Sequence, residues 1–225
     1  MTQNNKSEKI KKKDFIELDF SGYANSDLFD STKPEEVKTL NQSIKPEEVK
    51  PLKIVVGQGM VVKGFDQALE GKEVGKEYEV KLTPEQSFGE RKRDLIKTIP
   101  MKIFHEKNVT PQPGMMLQLD QFLVKIISVS GGRVLTDFNN PLSGKEIEYK
   151  FKILNKIQDL DEKIKVLINF FFKQELNYDL DKEKKKIIFK DKNFKPLIDM
   201  FKPQFKDLLD LDIEVESKTK EKKKE

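Results

Sequence analysis

The 225 residues are 36% apolar and 36% charged, enough chain for two or three small domains, since single cores usually take roughly 100 to 150 residues. With no cysteine and one histidine, His105, the chain lacks the parts of disulfide scaffolds, thiol nucleophiles, zinc clusters and histidine-dependent triads, so neither metal nor cofactor is expected. The net charge of +4 sits in the ends, leaving the middle net negative.

In chain order, MTQNNKSEKIKKKDF comes first and has no apolar signal core, and no later run reaches the roughly 20 apolar residues of a membrane span. A cytoplasmic protein without membrane contact is expected. Residues 1–13 hold five Lys and one Glu, and residues 217–225 five Lys and two Glu. Both read as solvated tails, with weak ribosome or nucleic-acid contact as the minority reading. DFIELDFSGY alternates Phe15, Ile16, Leu18 and Phe20 with acidic residues, which predicts a strand. KPEEVK occurs at 33–38 and again at 45–50 and predicts short helical turns, Pro leading and Glu behind. LKIVVG is a β-branched strand. FDQAL, between Gly64 and Gly71, is a short helix with Phe65 and Leu69 on one face.

From Arg91 to Phe138 the character changes. TPQPG, a Gly-Gly turn and the alternating segments MLQLDQFLVKIISV and RVLTDF predict a small β-unit. GKEIEYKFKIL places Ile147, Tyr149, Phe151 and Ile153 on one strand face. Beyond it, Leu160, Ile164, Leu167 and Phe171 make a helical stripe, and IIFK at 187–190 predicts a strand. A helix bent or interrupted at Pro203 follows, then a closing strand at 211–216. An αββαβ-like C-terminal domain is expected.

These segments resemble the FKBP-type peptidyl-prolyl cis/trans isomerases. FSGYANSDLFDST resembles their opening hairpin, and LKIVVGQGMVVKGFDQALEGKEVGKEYEVKLTPEQSFGE their central strand, helix and return strand. LTDFNNPLSGKEIEYKFKI resembles the closing segment of the SlyD-like branch, whose flap carries an inserted domain, and the archaeal long-type proteins of that branch most of all. The resemblance implies an α+β fold in which an antiparallel sheet wraps on a short helix. The isomerase domain would be 14–90 and 139–156, the insert-in-flap domain 91–138, the C-terminal domain 157–216, and the tails 1–13 and 217–225.

It also implies rotation about X-Pro bonds of unfolded or partly folded polypeptides, with chaperone activity from the insert. A non-catalytic chaperone or protein-binding module of the same fold is the alternative. The barrier of about 18–20 kcal/mol arises from amide resonance, so a dry groove that favours the twisted amide suffices, without a nucleophile. Carried over by position, the groove would be lined by Phe20, Phe29, Asp30, Leu52, Val61, Val62, Phe65, Phe88 and Tyr149, with Phe138 from the flap. Phe65 would be the floor, and the backbone N–H of Val62 would donate to a substrate carbonyl. Phe65 stands in place of the usual Trp, Leu52 in place of an aromatic, and Phe20 and Phe88 in place of Tyr. Two hydroxyls are thereby lost, and tight macrolide binding is not expected. Asn140 stands in place of a His, and no metal role is implied. On the insert, Met101, Ile103, Phe104, Met115, Met116, Leu117 and Leu119 are expected to supply a client-binding surface and part of the insert's own core. Taken singly, most of these apolar residues would be ordinary core, and His105 a surface residue. The Phe-rich C-terminal domain is expected to associate, with a homodimer as one form.

Overall fold

The computed structural model describes residues 9–41 and 44–216; the expectations for the outermost tails lie outside them. The chain opens with β1 (Phe15–Ala24), β2 (Asp27–Ser31), α1 (Pro34–Leu40), β3 (Leu52–Val55), α2 (Lys63–Leu69) and β4 (Glu77–Leu82). An excursion follows through β5 (Ile96–Pro100), α3 (Met101–Glu106), β6 (Met116–Leu119), β7 (Phe122–Ser130) and β8 (Arg133–Asp137). The chain returns as β9 (Ile147–Lys156) and ends with α4 (Leu160–Phe172), β10 (Tyr178–Asp181), β11 (Lys186–Phe189), α5 (Lys195–Met200), α6 (Lys202–Leu209) and β12 (Asp212–Val215). Among the described residues no helix is long and apolar enough to cross a membrane.

The first sheet runs β2-β1-β9-β4, with β3 on the free part of β1, all antiparallel. Period-2 alternation turns Ile16, Leu18, Phe20, Ile54, Ile147, Tyr149, Phe151 and Ile153 onto one face, where α2 delivers Phe65 and Leu69. Gly64 lets α2 lie against the sheet, because a Cβ there would fall 2.7 Å from Leu82 Cδ2 and 2.9 Å from the Gln86 carbonyl oxygen. The first KPEEVK forms α1 with Pro in its first turn, and the second is a single 3-10 turn.

One expectation is corrected at the N-terminus. Residues 9–13 are not tail: Ile10 is 1% exposed within the same core. Its N–H donates to Lys72 and its carbonyl accepts from Gly71, each at 2.8 Å. Composition hid this, because one Ile among four Lys reads as a charged run.

The insert is a second antiparallel sheet, β5-β8-β7-β6. Phe104 of α3, Ile126 and Val134 form its buried apolar cluster, and Val124 of β7 is fully buried as well. Its two connections to the first sheet are tied together. Arg91 Nη2 donates to Asp137 Oδ2 at 2.6 Å, and Asn139 accepts from the Lys92 N–H (2.8 Å) while donating to the Lys92 carbonyl (2.9 Å) and to Asp137 Oδ1 (2.7 Å).

The C-terminal unit is a three-stranded sheet, β10-β11-β12, with β11 and β12 parallel. Asp159 caps α4 by accepting from the Glu162 N–H at 2.9 Å. The helix expected around Pro203 is two helices, α5 and α6, meeting at Phe201, with Pro203 in the first turn of α6, where its missing N–H costs nothing. The core of this unit does not stop at residue 157: Phe15 and Val55 belong to the same buried cluster as Leu167, Phe189 and Phe205, and Met60 packs against both this cluster and the first. Ion pairs Lys13–Asp207 at 2.6 Å and Lys53–Glu162 at 3.3 Å join the units at the surface.

Candidate functional site

The face of the first sheet that meets α2 carries a cluster of rings. Phe65 stacks on Tyr149, with centroids 4.4 Å apart and planes 7° from parallel. Phe20 meets both edge-on at 5.9 Å, Phe29 meets Tyr149 at 6.0 Å, and Phe88 closes on Phe29 at 5.9 Å. Such edge-to-face and offset pairs follow from the aromatic quadrupole and add about 0.5–1.5 kcal/mol each beyond burial. Phe65 and Tyr149 are 1% and 5% exposed, so they form a floor. Phe29, Phe88, Leu52, Val61 and Val62 are partly buried around it.

The register explains how the rings close. Gly22 of β1 pairs with Asp30 of β2 on one side and Tyr149 of β9 on the other, putting Asp30, Gly22 and Tyr149 in one row across three strands. The β1–β2 pairing shifts between Gly22 and Tyr23, leaving Phe29 as the extra residue. Because Gly22 has no side chain, both rings lean over it: a Cβ there would be 2.8 Å from Phe29 Cζ and 2.9 Å from Tyr149 Cε1. The Tyr149 phenol is held well above its ordinary pKa by burial first and by the Asp30 charge second. The Asp30 residue is exposed as a whole, but its carboxyl lies against apolar surroundings. That desolvation raises its pKa, and the Ser31 backbone N–H only partly offsets it.

The loop before α2 is anchored by a buried acid. Asp66 accepts from the N–H groups of Gly57 (2.7 Å) and Gly59 (2.9 Å), fixing the turn that presents Met60, Val61 and Val62. Met60 Sδ accepts from the Val55 N–H at 3.2 Å. Val62 caps α2 at φ −58° and ψ 144°, and its carbonyl accepts from the Asp66 N–H at 3.0 Å. No partner for the Val62 N–H occurs among the described residues, so this donor is available at the rim.

Phe138 is not brought into the ring cluster. Its ring lies 6.0 Å from Phe122, with Lys97 Nζ 5.7 Å from its centroid, at the insert. Phe104 is corrected as a client contact: at 1% exposure it fills the insert core, since α3 has one sheet-facing position that a small sheet must cover. Leu119 is buried too, and Met101 and Leu117 pack against the Phe104 core. Met115, Met116 and Ile103 remain exposed. Four contributors escape sequence reasoning. Gly22 and Asp66 act through neighbours that only the register and loop geometry reveal. Phe122 and Leu123, 50% and 53% exposed, are adjacent apolar residues, of which strict alternation would bury one.

A family model described as FKBP-type peptidyl-prolyl cis-trans isomerase matches residues 6–102, and one described as FKBP26, IF domain, matches residues 97–142. A short-type peptidyl-prolyl cis-trans isomerase of Methanocaldococcus jannaschii is 37% identical over 144 residues, covering 64% of this chain and 92% of that protein. The SlyD isomerase of Helicobacter pylori is 25% identical over 72% of this chain and 82% of its own. That of Haemophilus influenzae is 30% identical over 46% and 56%. The chain belongs to the FKBP-type peptidyl-prolyl cis-trans isomerases, in the branch with an insert in the flap, and its substrates are polypeptides.

Proposed function

We propose that the X-Pro amide is bound over the Phe65–Tyr149 stack, with proline on the rings, the Val62 N–H donating to a substrate carbonyl, and Asp30 as the charged group at the edge. The parallel stack at 4.4 Å carries this reading: it is a flat, buried floor, and Val62, which packs against the same core, has a backbone donor with no partner among the described residues. A planar amide is a strong, well-solvated dipole, and the twisted form loses resonance and dipole together. A dry floor therefore penalises the ground state more than the transition state, and each 1.4 kcal/mol so gained is about tenfold in rate. Phe65→Leu keeps an apolar residue but removes the stack. It should lower catalysis of exchange in a proline tetrapeptide at least about tenfold, and undiminished activity would move the site elsewhere.

The exposed Met115, Met116, Ile103, Phe122 and Leu123 support a second role for the insert, holding unfolded chains. Phe122 and Leu123 begin β7 beside Leu119 and Gln118 of β6, so the patch includes a hairpin end. Large exposed apolar side chains on one small unit suit an interaction site, and Met adapts to varied side chains. Pairing of two copies through the C-terminal unit has the exposed Met200 of α5 in its favour, and light scattering of the full chain decides it.

A further inference from the structure

Five rings make up the groove, and four of them ride on regular structure: Phe20 on β1, Phe29 on β2, Phe65 on α2 and Tyr149 on β9. Phe88 alone is carried by a loop, between β4 and β5, and its ring still meets Phe29 edge-on at 5.9 Å. A strand fixes its residues through the ladder of backbone hydrogen bonds. A loop residue has to be fixed by other partners.

The peptide unit that joins Phe88 to Gly89 is pinned at both poles. Its N–H, on Gly89, donates to the Pro84 carbonyl at 2.7 Å. Its carbonyl, on Phe88, accepts from Ser143 Oγ at 3.0 Å. The second pin matters because Gly89 stands at φ +78°. A glycine on one side of a peptide plane lets that plane turn at little steric cost, so without the hydroxyl the Phe88 backbone is free to shift.

The donor sits on a braced turn. Asn140 closes it, with Oδ1 accepting from the Leu142 N–H and the carbonyl accepting from the Ser143 N–H, both at 2.9 Å. Leu142 seats the turn on the core that contains the rings. Gly144 adds a second grip, its N–H donating to the Gly89 carbonyl at 2.9 Å. The segment that leaves for the insert is thus held by the segment that returns from it, and the pairing continues through Arg91–Asp137 and Lys92–Asn139.

Resting on the proline-groove reading above, we infer that Ser143 is a positioning residue: its hydroxyl holds the Phe88 carbonyl, and thereby the Phe88 ring, where that ring walls the groove against a bound polypeptide. Phe88 is wall rather than floor, so it contacts planar and twisted substrate alike. Interactions of that uniform kind set KM and leave kcat. Loss of the hydroxyl then weakens substrate binding and spares the rotation itself.

The test measures kcat and KM for a proline tetrapeptide by exchange NMR over a range of peptide concentrations, with a melting curve for each full-length variant. Ser143→Ala should raise KM about three- to tenfold, the worth of one hydrogen bond, with kcat within about twofold of the parent. Ser143→Thr keeps the hydroxyl at a residue of negative φ and should return KM to within about twofold of the parent. Phe88→Ala should raise KM by itself, and adding Ser143→Ala to it should change KM by less than about 1.5-fold, because no ring is left to place. A parental KM in Ser143→Ala would overturn the inference, as would a KM that Ser143→Thr fails to restore. So would a fall in kcat alone that follows a lowered melting temperature, or a cost of Ser143→Ala that is the same with and without the Phe88 ring. Failure of the proline-groove reading looks different: Phe65→Leu would then leave tetrapeptide activity intact, and Phe88→Ala would leave KM at the parental value.

Discussion

Replacing Val62 by proline isolates one hydrogen bond. Val62 already has φ −58°, within the range proline imposes, and its N–H has no partner to lose among the described residues. The fold should therefore tolerate Val62→Pro, with a thermal midpoint unchanged or slightly raised, because proline restricts the unfolded chain by about 0.4–1 kcal/mol. Catalysis should not tolerate it. An ordinary hydrogen bond contributes about 0.5–1.5 kcal/mol, and a preorganised donor acting in a dry site up to about 3 or 4. A loss of about 1–3 kcal/mol corresponds to roughly 5- to 150-fold in kcat/KM for a proline tetrapeptide. The parent and variant need only a tetrapeptide exchange assay and a melting curve. A variant that melts like the parent and retains more than half its activity would refute the role given to this donor.

Gly22→Ala should act on the rings themselves: the new methyl meets Phe29 and Tyr149 at under 3 Å, so overpacking of about 1–3 kcal/mol should lower the melting temperature and cut tetrapeptide activity together. An active variant with parental stability would mean that the rings yield freely. Asp137 is the pH-sensitive member of the insert junction. Burial opposes its charge, but hydrogen bonds from Asn139 and the Arg91 guanidinium outweigh that and hold its pKa below the ordinary value. A lowered carboxyl pKa stabilises above the unfolded value of about 3.9 and is lost as pH falls through the folded one. Asp137→Asn should therefore cost about 1–2 kcal/mol at neutral pH, Arg91 being half exposed. The gap should close in acid, as followed by hydrogen exchange in β5 and β8; a gap that persists at low pH would assign it to packing. Phe122→Ser with Leu123→Ser should leave tetrapeptide exchange unchanged yet slow proline-limited refolding of a protein substrate and weaken suppression of its aggregation.

Much of the architecture could be read directly from periodicity. The alternation of Ile147, Tyr149, Phe151 and Ile153 and the stripe from Leu160 both correspond to buried faces, because burial on one side imposes those periods. Periodicity reports that a side chain faces inward, not which core receives it. Phe104 was thus legible as apolar and on the insert but not as its buried centre rather than its client surface, and Phe138 not as a residue that stays with Phe122 instead of reaching the rings. Phe15 and Val55 read as isomerase strand residues, although the cluster they join belongs to the C-terminal unit. Gly22 is silent in any pattern of hydrophobicity, and its importance depends on what β2 and β9 bring to either side of it. Ile10 was lost among lysines, whose charge dominates composition while a single backbone exchange with residues 71 and 72 fixes the segment.

Strand residues Phe15 and Val55 lying in the C-terminal core, with Met60 packed against both cores, have a mechanical meaning. An appended unit joined by a linker could swing, and any gap beside it would have no fixed width. Here the appendage is keyed into the end of the sheet, so the separation of α4 from β3 is set by close packing rather than by tether length. That turns the C-terminal unit into a fixed buttress of the isomerase sheet rather than a hinged appendage.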